Sequence, residues 1–398
     1  MAVHSRPYIS RPQTPGDLAP LGSFVEEVFG YLPRADQRRW AHAYLAGLLS
    51  TQGKKTVRRL AAAVTPSPTA SQSLYQFVNS SPWDWGPALR HLAHWSLRRS
   101  TPRAWTVGTA VVPKRGDRSV GVHRRFDPAS GRTVNCQVGV GIFLSTDSGP
   151  VPLGWRILLP ARWSDDPDLR ERTRIPRTSM VSERSPSGQV LDLVHTLHAR
   201  TTATPLPVVA DMSDGAEAVS LIRGLGRIGC DFIVAVPGTL PVVPGGHLRS
   251  EGASVPRTLA PVPVQRLLQT PDGYGDARGQ RPHVALLQLP GHAGPAAGEP
   301  QHTYRAFTEH DAAERPHDRV WITNLTHRPE HLLTLTGLQS CTTTAVRTLE
   351  SDFGLRDFEG RSFPGWHHHM TLVSAAYGFD RLAGWSHPQL RFVGRLSA

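Results

Sequence analysis

The residue types that matter first are acids placed where an extended segment ends. Leu206 to Asp211 is an apolar run closing on a carboxylate, Val208-Val-Ala-Asp211. A strand end of this kind hands a metal ligand or a general base to a cleft at the sheet edge. The plain alternative is an aspartate that caps the next turn or helix. The run His367-His-His369 invites a metal site. Adjacent helical residues point about 100° apart, however, so three in a row cannot converge on one ion, and packing or a helix start is the expected role. His310, His317, His327 and His331 lack ligand spacing and read as surface residues. Neither Ser145 nor Ser213 sits in a pattern that supplies a base for nucleophilic chemistry. Cys136, Cys230 and Cys341 show no metal-like spacing and read as reduced thiols of a cytoplasmic protein.

A second set of residues is basic. Arg38, Arg39, Lys54, Lys55, Arg58 and Arg59, joined further on by Lys114 and Arg115, are candidates for neutralising phosphates, a kind of binding that weakens steeply with salt. A solvated helix face is the bland alternative. The 398-residue chain has a formal net charge of +12. Residues 1–103 hold 13 Lys and Arg against 5 Asp and Glu, which leaves +8 in the first quarter. That asymmetry fits a polyanionic partner, although an arginine-rich coding bias would also raise it, since only Lys54, Lys55 and Lys114 are lysines. No apolar run approaches the roughly 18–20 residues needed to span a bilayer, and no membrane partner is expected. The first 20 residues lack the apolar stretch of a secretory signal and read as a disordered arm.

The elements that must position these groups follow from periodicity. Residues 21–103 read as a helical, candidate DNA-binding domain, with helices over 36–49, 60–64, 71–78 and 87–99. Trp83, Trp85 and Trp95 read as core, not as platforms for bases. After Pro102 the pattern turns β-like over 105–113, 119–123 and 135–145, a three-strand meander. Alternation follows: a helix over 188–200, a strand over 206–211, a helix over 214–225 and a strand over 230–236. This order predicts an α/β fold, a ribonuclease-H-like mixed sheet with helices. Residues 104–236 form its first part, and 237–318 interrupt it as a β/loop-rich insertion with strands over 284–289 and 304–307. Residues 319–398 supply the remainder of the core, with a strand over 320–325 and late helices over about 329–351 and 370–384.

An ordered set of segments resembles the transposases of the insertion-sequence 701 group, within the DDE superfamily. It begins with Tyr44-Leu-Ala-Gly-Leu-Leu49 before Lys54-Lys55, then Gln76-Phe77 and Ser81-Pro-Trp-Asp84. Pro113-Lys-Arg-Gly116, Ser119-Val-Gly-Val122 and Asn135-Cys-Gln-Val-Gly139 follow, then Trp155-Arg156, Leu159-Pro160, Asp165-Asp-Pro167 and Val208-Val-Ala-Asp211. Phe358-Glu-Gly-Arg-Ser362 and Gly365-Trp-His-His-His369 close the series. The resemblance implies an N-terminal DNA-binding region, a ribonuclease-H-like core with a β-rich insertion, and DNA as partner. It also implies magnesium held by three carboxylates, and a dimer as the inherited expectation.

Phosphodiester hydrolysis and joining need two cations roughly 3.5–4 Å apart, gathered by hard oxygen donors. The resemblance places the first acid just before Pro113-Lys-Arg-Gly116, where this chain has Gly108 and Thr109. It places the second on Asp211, the one acid retained. It places the third on a late helix, where counting back from Phe358 puts the family's tyrosine, arginine, glutamate and lysine on Thr336, Gln339, Thr343 and Glu350. The expectation is a transposase-like protein without strand cleavage that retains DNA binding at most, with no cofactor and no metal ligands. Two alternatives stand beside it. One is reuse of the cleft as a small-molecule enzyme or binding site served by Asp211. The other is an active transposase with ligands relocated to Asp117, Asp165, Asp166, Asp214 or Glu359.

Overall fold

The computed structural model describes residues 19–127, 131–177, 185–198, 205–245, 260–269, 284–290, 302–309 and 319–383. The arm expected over 1–20 lies outside them except for its last two residues, and so do His310 and His317. The chain divides into two compact units. One comprises Met1–Pro102, Thr109–Arg184 and Thr344–Ala398, and the other Arg103–Gly108 and Ser185–Thr343.

The first unit opens with helices α1 (Ala19–Phe29), α2 (Ala35–Ser50), α3 (Val57–Val64), α4 (Ala70–Asn79) and α5 (Trp85–Leu97). Strands β1 (Pro102–Pro113), β2 (His123–Asp127), β3 (Arg132–Thr146) and β4 (Gly149–Ile157) follow, then the short helices α6 (Ala161–Asp165) and α7 (Pro167–Thr173). The elements of the second unit are α8 (Pro186–His198), β5 (Val208–Asp211), α9 (Ala218–Arg227), β6 (Phe232–Val236), β7 (Pro241–Pro244) and β8 (Val262–Pro263), then α10 (Val264–Leu268), β9 (Val284–Gln288), β10 (Tyr304–Glu309) and β11 (Arg319–Thr323). Helix α11 (Pro329–Ser351) leads on to α12 (Phe363–Leu382). Both β1 and α11 have residues in each unit.

Local chemistry sets the helix starts. Thr56 caps α3 by accepting from Arg59 N, Asp84 caps α5 through Gly86 N, and Ser362 caps α12 through Gly365 N. Helix α12 is buried on all sides from Gly365 to Phe379, which makes it the central rod of the first unit, not an amphipathic surface helix. Helices α2, α4 and α5 and strand β4 pack around it. The N-terminal helices therefore share a core with the C-terminal one. Trp155 Nε1 donates to Ser374 Oγ at 3.0 Å within that core.

The meander differs in detail from its expected form. Of Ser119 to His123 only His123 enters a strand. Val120 and Val122 are buried, but Val120 N donates to Arg361 O and Gly121 turns the chain at φ +72. The side chain of Ile157 and the carbonyl of Leu158 occupy the space that a Cβ at Gly121 would need. The third strand is β4, antiparallel to β3 from Gly139↔Ile157 to Thr146↔Gly149. Its two prolines and two glycines, in Gly149-Pro-Val-Pro-Leu-Gly154, mask the strand in the sequence.

In the second unit β1 pairs parallel with β5 (Trp105↔Val208, Thr106↔Val209), and β5 pairs parallel with β6. Strand β11 then joins β6 antiparallel, followed in space by β10, β9, β7 and β8. Parallel strands covered on both faces need continuous apolar runs, which Val208-Val-Ala and Phe232-Ile-Val-Ala-Val supply. Ala104, Val209, Ile233, Ala235, Phe307 and Trp321 form the core beneath α11, with Leu332 and Leu335 from that helix. The result is the expected α/β fold, a mixed sheet of ribonuclease-H type with helices. The described parts of 237–318 add antiparallel strands to it.

Candidate functional site

Asp211 closes β5 at the carboxyl end of the parallel strands, where open α/β sheets place their ligands. Carrying the β1–β5 register two residues past Thr106↔Val209 brings Gly108 level with Asp211. Gly108 is buried, whereas Thr109 is exposed. Both oxygens of the Asp211 carboxylate have partners. Ser213 donates to Oδ1 twice, from its amide at 3.1 Å and its hydroxyl at 2.6 Å. Arg319 Nη2 faces Oδ2 at 3.5 Å, with the two side chains 20% and 26% exposed, so the pair is only partly screened by water.

Arg319 begins β11 and lies over the Trp321 ring, 5.7 Å from its centroid. Across the ladder it stands opposite Glu309, the last residue of β10. Glu309 takes a hydrogen bond on each oxygen, from Trp321 Nε1 at 3.0 Å and from Thr336 Oγ1 at 3.1 Å. Neither Arg319 nor Glu309 was singled out in the sequence, since Glu309 lies in the stretch read as insertion and Arg319 at its border. The usable signal was the apolar run at Ala306-Phe307, a strand core that ends two residues on at the charged Glu309.

Helix α11 runs beside β1. Gln339 Nε2 donates to Val107 O at 2.7 Å, and the buried hydroxyls of Thr106 and Thr342 meet at 2.6 Å. Thr336 and Gln339 are buried. Thr343 is exposed and its hydroxyl returns to Gln339 O at 3.1 Å, an ordinary hydrogen bond within the helix. Glu350 pairs with Arg356 at 2.5 Å, in the first unit.

These donors do not fit a pair of divalent cations. Asp211 already meets a guanidinium, a glycine stands level with it on β1, and at the positions that the resemblance assigns to the family's arginine and glutamate α11 carries Gln339 and Thr343, an amide and a hydroxyl. Among the described residues no three His, Cys, Asp or Glu side chains are grouped to hold a metal ion. Of the acids considered as substitutes, Asp166 caps α7, Asp117 pairs with Arg162 at 3.2 Å, and Glu359 accepts from Val57 N at 3.2 Å, where α3 begins. Asp165 accepts from Ser164 Oγ at 3.2 Å, and Asp214 is exposed.

The basic residues lie in the first unit and separate into two kinds. Arg39, Lys54, Arg58, Arg59 and Arg115 are exposed, and Arg38, half-buried, gives one guanidinium nitrogen to Leu32 O. Lys55 and Lys114 correct the sequence-based expectation. Lys55 is 4% exposed, and its ammonium donates to Leu48 O and Thr51 O. Lys114 Nζ donates to Phe358 O at 2.8 Å. Burial pushes both ammonium groups down to about 8, against the pull of Asp357 and other nearby carboxylates. The Lys55 ammonium thus ties the end of α2 to the turn after it, and the Lys114 ammonium holds the start of the Phe358-Glu-Gly-Arg-Ser362 segment.

The histidine triplet is packing. His367 stacks on Trp85 at 4.7 Å, and His368 stacks on Trp83 at 3.9 Å. His369 lies between Tyr44 Oη, 3.0 Å from Nδ1, and Gly354 O, 3.0 Å from Nε2. Trp83 and Trp95 are core residues and Trp85 is half-buried.

A family model described as DDE superfamily endonuclease matches residues 27–272, more than half of the chain, and the chain belongs to that family. The match takes in Gly108, Thr109 and Asp211 and ends before α11. No curated protein matches the chain. Among the described residues no helix is long and apolar enough to cross a membrane.

Proposed function

We propose that this chain is a transposase-like DNA-binding protein of the insertion-sequence 701 group that neither cuts nor joins strands. The observation that carries the reading is the state of Asp211, committed to Arg319 and Ser213 with Gly108 level on the next strand. Phosphoryl transfer needs charge stabilisation at the attacking and leaving oxygens, and one neutralised carboxylate cannot assemble the cations that supply it. The ordered motifs from Tyr44 to His369 support the narrower group. DNA binding is supported by the charge asymmetry and by the exposed cations Arg39, Lys54, Arg58 and Arg59.

A gel-shift titration across salt concentrations tests the binding. If these four side chains each neutralise one phosphate, log K falls with log salt at a slope of about −3.6. Arg58→Ala with Arg59→Ala reduces that slope by about 2 and weakens all sequences alike. Absence of any shift at low salt would sink the proposal.

A further inference from the structure

We infer that Arg319 is the built-in counter-cation of Asp211, so the cleft is closed to divalent metal by an occupied charge as well as by missing donors. This rests on the reading of Gly108 and Thr343 as former acid positions and adds a separate element to it. Replacing carboxylates by glycine and threonine leaves the remaining aspartate as an uncompensated charge in a partly buried place. Such a charge is unfavourable to the extent that water is excluded, unless a partner neutralises it. Arg319 meets the requirement from the far side of β6. Its guanidinium sits 3.5 Å from Oδ2, the oxygen that Ser213 leaves free, and Ser213 takes Oδ1. A ring and a second carboxylate border the cation. The Trp321 ring lies beneath it at 5.7 Å, and Glu309 stands opposite on β10 with both oxygens fixed by Trp321 and Thr336. A guanidinium does not lose its charge in the working pH range, so the compensation is permanent, unlike a bound ion in exchange with solvent. A metal entering here would have to displace Arg319 from Asp211 and tolerate a fixed positive charge within a few ångströms.

The proposal separates two effects that simple restoration of acids would merge. The full chain is prepared in four forms: unchanged, Gly108→Asp with Thr343→Glu, Arg319→Gln alone, and all three substitutions together. Binding of Mn2+ is followed by the loss of its free-ion electron paramagnetic resonance signal. The triple variant is expected to bind at least ten-fold more tightly than the double variant. Equal affinity in the two, or no binding by the triple variant, overturns the counter-cation role. Should the double or triple variant fail to fold, thermal unfolding of Arg319→Gln, Asp211→Asn and their combination decides. The combined variant is expected to melt above Arg319→Gln alone, because the stranded charge is gone; additive losses overturn the role. Magnesium-dependent cleavage by the unchanged chain would instead sink the proposed function, and it is read in a different assay.

Discussion

Asp211 and Lys55 show how a charged side chain is drawn into its own fold when neighbouring groups bond to it. Asp211 is met by Ser213 and Arg319, and Lys55 is met by Leu48 and Thr51 carbonyls. Gly354 closes the same pocket from the other side of Lys55. Its φ is +71, and a Cβ there would lie 2.5 Å from both Cβ and Cγ of Lys55. Left-handed strain and a clash against a side-chain root that cannot swing away add together. Gly354→Ala is therefore expected to lower stability by on the order of 2–3 kcal/mol in urea unfolding. A loss below about 0.5 kcal/mol, the usual range for an uninvolved surface position, would contradict this packing.

At the scale of elements, α12 carries the clearest pH dependence. With the ring of His369 neutral, Nε2–H donates to Gly354 O and Nδ1 accepts from the Tyr44 hydroxyl. Burial pushes His369 down to about 4 from 6.5, and Lys114 adds to the effect. A histidine depressed in the folded state contributes stability that is complete above pH 6.5. That stability is lost as pH falls through the window down to about 4, because the unfolded chain takes the proton first. The contribution is roughly 3 kcal/mol at most. Unfolding at pH 7 and at pH 4.5 is expected to show a smaller acid loss for His369→Gln than for the unchanged chain; parallel losses would contradict it.

The same element shows what the sequence could convey. The adjacency of three histidines excluded a shared metal from geometry alone, and burial bears out packing. The span of α11 was legible from its period, as were Val208–Asp211 and Phe232–Val236 from their apolar runs. Strand β4 was hidden by prolines and glycines, and α12 was read as starting near residue 370 because its uniformly buried first turns carry no amphipathic period. Lys55 and Lys114 were read as surface cations because what buries them comes from far along the chain: Phe358 O takes the Lys114 ammonium, and Gly354 packs on the Lys55 stem, contacts that no local pattern reveals. Arg319 was missed for the same reason: its partner lies 108 positions away in the chain.

For the molecule as a whole, the chain belongs to the DDE superfamily endonuclease family over residues 27–272, and DNA binding and the loss of strand chemistry are the two parts of the proposed function. They are read together when the purified protein is incubated with supercoiled DNA, and with linear DNA carrying candidate element ends, in Mg2+ or Mn2+. The expected result is DNA that is retained in a salt-sensitive complex and recovered uncut, with Asp211→Asn behaving as the unchanged chain does. Metal-dependent nicks or joined strands that disappear in Asp211→Asn would contradict the central claim.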